Sequence, residues 1–494
     1  MVWLEIPLFI VFLYLFSLIS DKKDISYAIA IFTGLGLLVL AFFRHRWGMF
    51  FIICLLFIES TVNLINTLAK AAISTETMGL PTLTMTPWFS MGVLSTYFVL
   101  LLSYLCWQFL NEKKRSPLNF LEWILLIPLL VMITYIPYSL IRGNTFSDIW
   151  GDSIPMMLYA GIVIAARNFS REGDYREARY SVLDWFLIAN LVILIPLWAY
   201  NIAFNPFRSS ALGIAAIRYG TGPYDFNFFL VPLLGMIITY DDNLGIVRKR
   251  FYTFSFFFCT LRILISLFRG AMAGTILALI IVTFLVDSTA RRKWLKNLFS
   301  ITVVSVALMG IIITVFPIAG AVFNVVFLGR IKKALFTDTG DTSLQFRHLE
   351  TQVALDDIRE EPVFGYGPGS LINKNFDSEE YTTQELYLHS GFVWFWYKLG
   401  ILGLLLLAAF FIGIYMTCFS LLRRTLHPPD RGWVIGTLAA TIAMLPVIQT
   451  NNMVIRSQGA YALTLLLMGL CLITYRYRGI PRDRLPGDEG KASG

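Results

Sequence analysis

Apolar runs of roughly 16–22 residues, separated by short polar breaks, recur along the whole of this 494-residue chain. A helix rises ~1.5 Å per residue, so a run of that length crosses a hydrocarbon core ~30 Å thick. Backbone N–H and C=O groups find no water inside lipid, and helices satisfy them within one segment. A membrane barrel would show alternating ten-residue strands instead. Hydrophobic residues make up 57% of the chain and charged ones 15%, which lies outside soluble globular usage and argues against a water-soluble enzyme. The expected fold class is an all-α polytopic membrane protein with about fourteen transmembrane helices (12–14). Drawn on the sequence, the spans are approximately 3–19, 26–43, 48–65, 90–110, 119–139, 153–167, 181–203, 224–240, 251–267, 270–286, 298–320, 391–422, 432–450 and 457–475. The first run, near Leu4 to Ile19, has no basic n-region and no small-residue cleavage site, so it reads as a retained helix.

An even number of spans puts both termini on one side, and the Lys/Arg distribution chooses which. Loops containing Arg44, Lys113, Arg176, Arg248, Arg291, Arg423 and the tail from Arg476 hold 24 basic residues, and the opposite loops hold 14. Both termini are therefore expected in the cytoplasm, with the long loop after residue 320 outside. The net charge of +8 is distributed as a topology signal and does not indicate a nucleic-acid partner. Cys54, Cys106, Cys259, Cys418 and Cys471 all fall inside expected spans without CxxC spacing, and read as packing residues.

The organisation expected is a transmembrane scaffold over 1–203, helices carrying arginines over 204–320, an extracytoplasmic loop over 321–390, C-terminal spans over 391–475 and a cytoplasmic tail over 476–494. Most connections are short, but 66–89, 204–223 and 321–390 are long and all fall on the outer side. Within the last, Gly340-Asp341-Thr342-Ser343 offers a helix start and Glu361-Pro362 a stop, about five turns apart. Phe346, Leu349, Val353 and Ile358 give that helix a loose apolar stripe suited to a membrane surface or a bundle cap. No repeat of the kind that builds a transporter from inverted halves is visible.

An outward-facing site has no ATP and no nucleotide sugar. The chain also carries no Walker-type loop, no GxGxxG between strand and helix and no EF-hand spacing. Any group transfer there must draw on energy already stored in a substrate bond, as in lipid-diphosphate-linked sugars.

Arg262 and Arg269 stand seven residues apart, close to two helical turns, so both project from about the same face ~10 Å apart along the axis. An arginine inside a span costs at least ~2.5 kcal/mol and faces a cavity or a partner. Arg269 either binds ligand or snorkels to the outer interface, and Arg262 either lines the site or pairs with Glu59. Arg218 lies in an outer loop just before Tyr219-Gly220-Thr221-Gly222-Pro223, with Asn227 following; its fork suits a pair of phosphate oxygens, and Asp225 is the alternative partner. His389, between Glu385-Leu386-Tyr387-Leu388 and Ser390-Gly391, is either a hydrogen-bonded boundary residue or a base for a sugar hydroxyl. No second His or Cys stands at ligand spacing from it, so no metal is expected.

Arg347, a helix, Pro362-Val363-Phe364-Gly365-Tyr366-Gly367 with Gly369, then His389, Gly400 and Gly403 resemble the C-terminal signature of the O-antigen ligase and O-antigen polymerase superfamily. Arg218 with Asn227, and Ser266-Leu267-Phe268-Arg269-Gly270-Ala271, are similar to two further family features, so the resemblance covers roughly residues 210–420. It implies an inner-membrane, GT-C type glycosyltransferase that uses an undecaprenyl-diphosphate-linked glycan, inverts the anomeric carbon and needs no metal or cofactor. Under it, Arg218 and Arg269 hold the diphosphate, Arg347 is a third clamp or orients the acceptor, His389 activates the acceptor hydroxyl and Asn227 contacts sugar or phosphate; Arg262, sharing a face with Arg269, is a further candidate substrate contact. The sequence departs from the family pattern at Ser390, where Asn is usual, and at Lys398, where an acidic residue is frequent.

Three functions compete: a polymerase joining lipid-linked repeat units, a ligase moving glycan to lipid A core or another acceptor, and a lipid-linked oligosaccharide transporter. A transporter would spread charges and broken helices near the midplane of both halves, whereas here they collect at the outer rim. Nothing in the first half reads as a docking module for lipid A, which favours the polymerase. A flippase and a chain-length regulator are the expected protein partners.

Overall fold

The computed structural model describes residues 117–170, 175–204, 224–266, 269–315, 342–375, 382–385, 388–449 and 457–478, with Asn452 and Val454. The described helices are α1 (Phe120–Ile141), α2 (Phe146–Ser170), α3 (Tyr175–Phe204), α4 (Tyr224–Tyr240), α5 (Ile246–Ser266), α6 (Arg269–Leu285), α7 (Ser288–Val315), α8 (Thr342–Glu360), α9 (Gly391–Leu422), α10 (Pro428–Ile448) and α11 (Ser457–Arg476). The expected spans from 119–139 onward each coincide with one of them. The four spans expected before residue 111 lie outside the described residues.

The chain divides into two compact units, one of Met1–Pro117 with Ile164–Pro223 and one of Leu118–Val163 with Tyr224–Gly494. In the first, α3 buries Ala178, Val182, Leu183 and Phe186 at helical spacing, and the Arg176 guanidinium lies 5.7 Å from the Tyr180 ring centroid. The second unit holds the part of the resembling stretch from Tyr224 onward.

Its centre is α4. Phe228, Phe229, Leu230, Val231, Leu233, Leu234, Met236 and Ile237 are all fully buried, so this helix is apolar and enclosed on every side. It packs against α5, α6, α7, α10 and α11. Small residues allow the closest approach: a Cβ at Gly436 of α10 would lie 2.8 Å from the Leu233 Cα. By length and apolar composition, α1, α9 and α10 can each cross a membrane, while α4, α6 and α11 contain shorter apolar stretches. A helix walled in by others, as α4 is, keeps its backbone bonds internal and meets little lipid.

Exposed large apolar side chains line α1 (Phe120, Trp123, Ile127, Leu130, Ile133) and the second half of α9 (Leu402, Leu405, Ile412, Met416, Phe419). That is the outer surface of a membrane protein, where lipid replaces water.

The helix ends sort into two groups. At one, Arg431 donates to both carboxylate oxygens of Asp287 at 2.8 and 2.9 Å, and the Tyr240 hydroxyl joins the same carboxylate at 2.9 Å. There too Asp430, fully buried, accepts from Arg476 and from the Tyr477 hydroxyl, both at 3.0 Å. The Tyr475 hydroxyl meets Glu122, which closes a reciprocal cap with Asn119 at the start of α1. At the other, Arg142 pairs with Glu361, and the Asn144 amide donates to the Tyr366 carbonyl at 3.0 Å. The connections at the first end are among those whose basic residues the sequence groups on one side.

Two features depart from the all-α expectation. Ile372–Asn375 (β1) and Thr382–Glu385 (β2) form an antiparallel ribbon within the long loop, with Ile372 opposite Glu385 and Asn375 opposite Thr382. These four-residue, largely polar strands lack the hydrophobic alternation that marks a strand in sequence. In addition, α9 is broken at Gly400, where φ is +62° and ψ −154°.

Gly400 cannot be exchanged freely. A Cβ there would lie 2.0 Å from the Val363 carbonyl oxygen, in a conformation that costs other residues about 1–3 kcal/mol before any clash. Gly400→Ala is expected to lower the thermal unfolding midpoint or abolish a monodisperse peak on size exclusion. Gly310→Ala on α7, where nothing lies within 4 Å of the added methyl, should leave both unchanged.

Candidate active site

The site is built on α8 and the start of α9. The N-cap of α9 is Ser390, whose hydroxyl accepts the Val393 amide at 3.4 Å. The residue before it, His389, is thereby fixed at the mouth of the helix with its side chain 28% exposed. Facing it is Glu350 on α8, only 1% exposed. One carboxylate oxygen, Oε2, accepts both the His389 backbone amide at 3.1 Å and its ring Nδ1 at 2.9 Å.

A carboxylate accepts only, so this contact puts the proton on Nδ1 and leaves Nε2 of the neutral ring as an acceptor. The same arrangement orients an imidazole for proton transfer in many hydrolases and transferases.

Burial of Glu350 corrects the stripe expected for this helix. Glu350, Ala354 and Ile358, each four residues on, form the buried face, while Leu349 and Val353 are half-exposed. The apolar pattern places the helix about one residue off in rotation, because it cannot count a carboxylate as a core residue. The helix packs on α9 and β1 as a cap of the bundle.

The chain leaves α8 through the glycine turn Pro362–Ser370. Gly365, Gly367 and Gly369 have φ of +67°, +84° and +80°, and this is where the turn needs glycine most: Cβ atoms at Gly365 and Gly367 would lie 2.5 Å from the Tyr397 carbonyl and the Ser139 hydroxyl. The turn meets α9 where the helix is broken. Tyr366 N–H donates to the Tyr397 carbonyl and Gly367 N–H to the Lys398 carbonyl, both at 2.9 Å, while Ile401 N–H turns away to the Pro362 carbonyl at 3.1 Å. From α1, the Tyr135 hydroxyl donates to the Leu399 carbonyl at 3.1 Å and the Tyr138 hydroxyl to the Gly365 carbonyl at 2.8 Å. The Tyr366 and Tyr397 rings stack with centroids 4.8 Å apart. Burial, followed by the neighbouring carboxylates of Asp357, Glu360 and Glu361, pushes the Tyr366 phenol up to about 12, so it remains a donor, bonded to the Asp357 carbonyl at 2.9 Å.

Beneath the turn lies a buried ion pair. Lys398 Nζ is 2.9 Å from Asp152 Oδ2 on α2 and also donates to the Ser370 carbonyl. The same Asp152 oxygen accepts the Gly369 amide at 2.6 Å. Lys398 and Asp152 are 0% and 7% exposed.

Of the sequence candidates, Arg347 lies on α8 three residues, less than one turn, before Glu350 and is half-buried. Among the described residues it has neither an ion pair nor a hydrogen bond. Asn227 is fully buried in the first turn of α4. Arg262 is buried in α5 with its guanidinium 5.7 Å from the Phe258 ring centroid. Arg269 opens α6, but its side chain, like Arg218 and Glu59, lies outside the described residues. Glu350, Asp152 and the pairing of Lys398 were not singled out from the sequence. A glutamate in register with Ala354 and Ile358 was the available signal for the first; nothing local links Asp152 to a lysine 246 positions away.

Both departures from the family pattern acquire a place. Ser390 serves as the helix cap, and Lys398 finds its counter-charge on α2.

Residues 254–408 match the family described as O-antigen ligase. The matched stretch begins within α5 and ends within α9, so it contains Arg262, Arg269, Arg347, Glu350, the glycine turn and His389, but not Arg218 or Asn227. No curated protein matches the chain.

The two bonds to Glu350 set an expectation for stability. Glu350→Ala leaves the His389 amide and ring N–H without this acceptor, at a cost of about 1–3 kcal/mol. Glu350→Gln, which still offers a carbonyl oxygen, is expected to unfold at a midpoint between those of Glu350→Ala and the wild type in detergent. Identical melting of all three would count against the contact.

Proposed function

We propose that this membrane protein, a member of the O-antigen ligase and polymerase superfamily through residues 254–408, is an inverting glycosyltransferase that polymerises undecaprenyl-diphosphate-linked oligosaccharide repeat units of a surface polysaccharide. The observation that carries the reading is the imidazole of His389, oriented by a buried carboxylate at the mouth of a helix inside the matched family stretch. The basic-residue count supports an outward-facing site on the inner membrane, with both termini in the cytoplasm.

In this mechanism an acceptor sugar hydroxyl approaches the anomeric carbon from the face opposite the lipid diphosphate. His389 Nε2 accepts the hydroxyl proton while Glu350 holds Nδ1 and stabilises the imidazolium that forms. The new glycosidic C1–O bond forms as the C1–O bond to phosphate breaks, with inversion, and the electron pair leaves on the lipid diphosphate. Arginines aimed at that oxygen stabilise the transition state more than the ground state. Arg218 and Arg269 are assigned to the diphosphate and Arg347, on the same helix as Glu350, to a third clamp. Asn227 and Arg262 are assigned to substrate binding. No nucleotide and no metal is needed, since the glycosyl C1–O bond to the lipid diphosphate supplies the driving force.

A second reading, transfer of lipid-linked glycan to lipid A core or another acceptor, is favoured by the family's own description as O-antigen ligase. The two share chemistry and differ in acceptor.

Purified protein given a lipid-diphosphate oligosaccharide is expected to lengthen it in EDTA without nucleotide, and His389→Ala or Arg269→Ala to reduce turnover by at least ~10² while expression persists. Lipid A core as the sole productive acceptor would select the ligase, and wild-type turnover by His389→Ala would remove the base. For sidedness, a cysteine at Thr383 in β2 should react with an impermeant thiol reagent on intact spheroplasts; labelling only after lysis would reverse the topology.

A further inference from the structure

The bonds around Gly400 form a closed ring. It runs from Glu350 along α8 to Glu360, through the glycine turn, across to the carbonyls of Tyr397 and Lys398, back along α9 to His389, and through the His389–Glu350 contact to its start. The first part of α9, Gly391–Leu399, is a separate half-helix, because Gly400 breaks the backbone path. His389 precedes one end of this half-helix and Lys398 lies at the other, nine residues or ~13 Å away.

Seen on that ring, the ion pair has a clear place. Lys398 Nζ and Asp152 Oδ2 do more than meet each other: one takes the Ser370 carbonyl and the other the Gly369 amide, so the pair grips both sides of the turn's last peptide. Both groups are buried, where one charge without the other is costly and where the geometry is correspondingly fixed. Asp152 belongs to α2, whose Tyr159 is itself anchored on the Val454 carbonyl at 2.8 Å, so the grip is referred to the body of the bundle.

We propose that Asp152 and Lys398 are a positioning pair for the transfer reaction: by pinning Gly369 and Ser370 against the far end of the half-helix, they set the place of His389 relative to Glu350 without touching substrate. The inference rests on the reading of His389 as the base. An error of ~1 Å in such a group is enough to cost up to ~10² in rate, so a slack turn is expected to show in kcat before it shows in donor binding.

The test compares two double variants in the full-length protein. Asp152→Leu with Lys398→Met removes both charges and both contacts to the turn, a replacement that buried ion pairs often tolerate in folding. It is expected to lower kcat at least about tenfold with donor KM within about twofold, and to speed hydrogen exchange in peptides covering 362–371 but not in those of α10. Asp152→Asn with Lys398→Gln is neutral but still offers an acceptor to Gly369 N–H and a donor to the Ser370 carbonyl. It should keep kcat within about threefold of wild type and exchange near wild type.

Wild-type kcat in the folded Leu/Met variant overturns the proposal, and so does faster exchange of the turn with unchanged kcat. A tenfold loss in the Asn/Gln variant sinks it as well, and this arm stands even if the Leu/Met variant does not fold. His389→Ala is measured beside them: surviving turnover there removes the base, whereas exchange at 362–371 judges the pair's grip on the turn without reference to turnover.

Discussion

The half-helix Gly391–Leu399 ends on three carbonyls that its own helix does not satisfy in the regular way. In an unbroken α9 the Tyr397 carbonyl would take the Ile401 amide; here that amide bonds to Pro362, and Tyr366, Gly367 and Tyr135 supply the donors for Tyr397, Lys398 and Leu399. In a membrane protein this substitution is close to obligatory, since a carbonyl left bare away from water costs several kcal/mol. The glycines of the turn follow from it. Backbone must lie against backbone, and at Gly400 a single added carbon would be 2.0 Å from an oxygen.

From that junction the rest of the site is arranged. The turn is continuous with α8, so the break that halts α9 also fixes where Glu350 lies relative to His389. The imidazole lies at one end of this small loop of structure and the ion pair under its far side. His389 and the carboxylate that orients it come from segments 39 positions apart in sequence, joined by the turn between them.

The opposite end of the second unit uses charge differently. Arg431 with Asp287, and Arg476 with Asp430, tie the basic ends of α10, α11 and the α6–α7 connection to one another. These pairs close a bundle whose interior, around α4, is mostly apolar, with hydrogen bonds such as Trp433 Nε1–H to the Leu466 carbonyl between its helices. Apolar packing in lipid is permissive, and hydrogen-bonded charges at the helix ends supply the missing specificity.

By itself the sequence determined the membrane class, the positions of the helices after residue 117, the limits of α8 and the stretch that matches the O-antigen ligase family. Run length, Gly/Pro punctuation and the spacing of Arg347, the turn and His389 are local properties, and they survive translation into structure. The ribbon of β1 and β2 escaped because its strands are four polar residues long, and the buried face of α8 was misjudged because hydrophobicity cannot point to a core glutamate. Only the tertiary structure decided which carboxylate orients His389, that Lys398 answers Asp152, and that α9 is two helices in sequence and one in outline. Each of these depends on atoms brought together across 39 to 246 residues, and pairings at that distance leave no trace in the local pattern of a single chain.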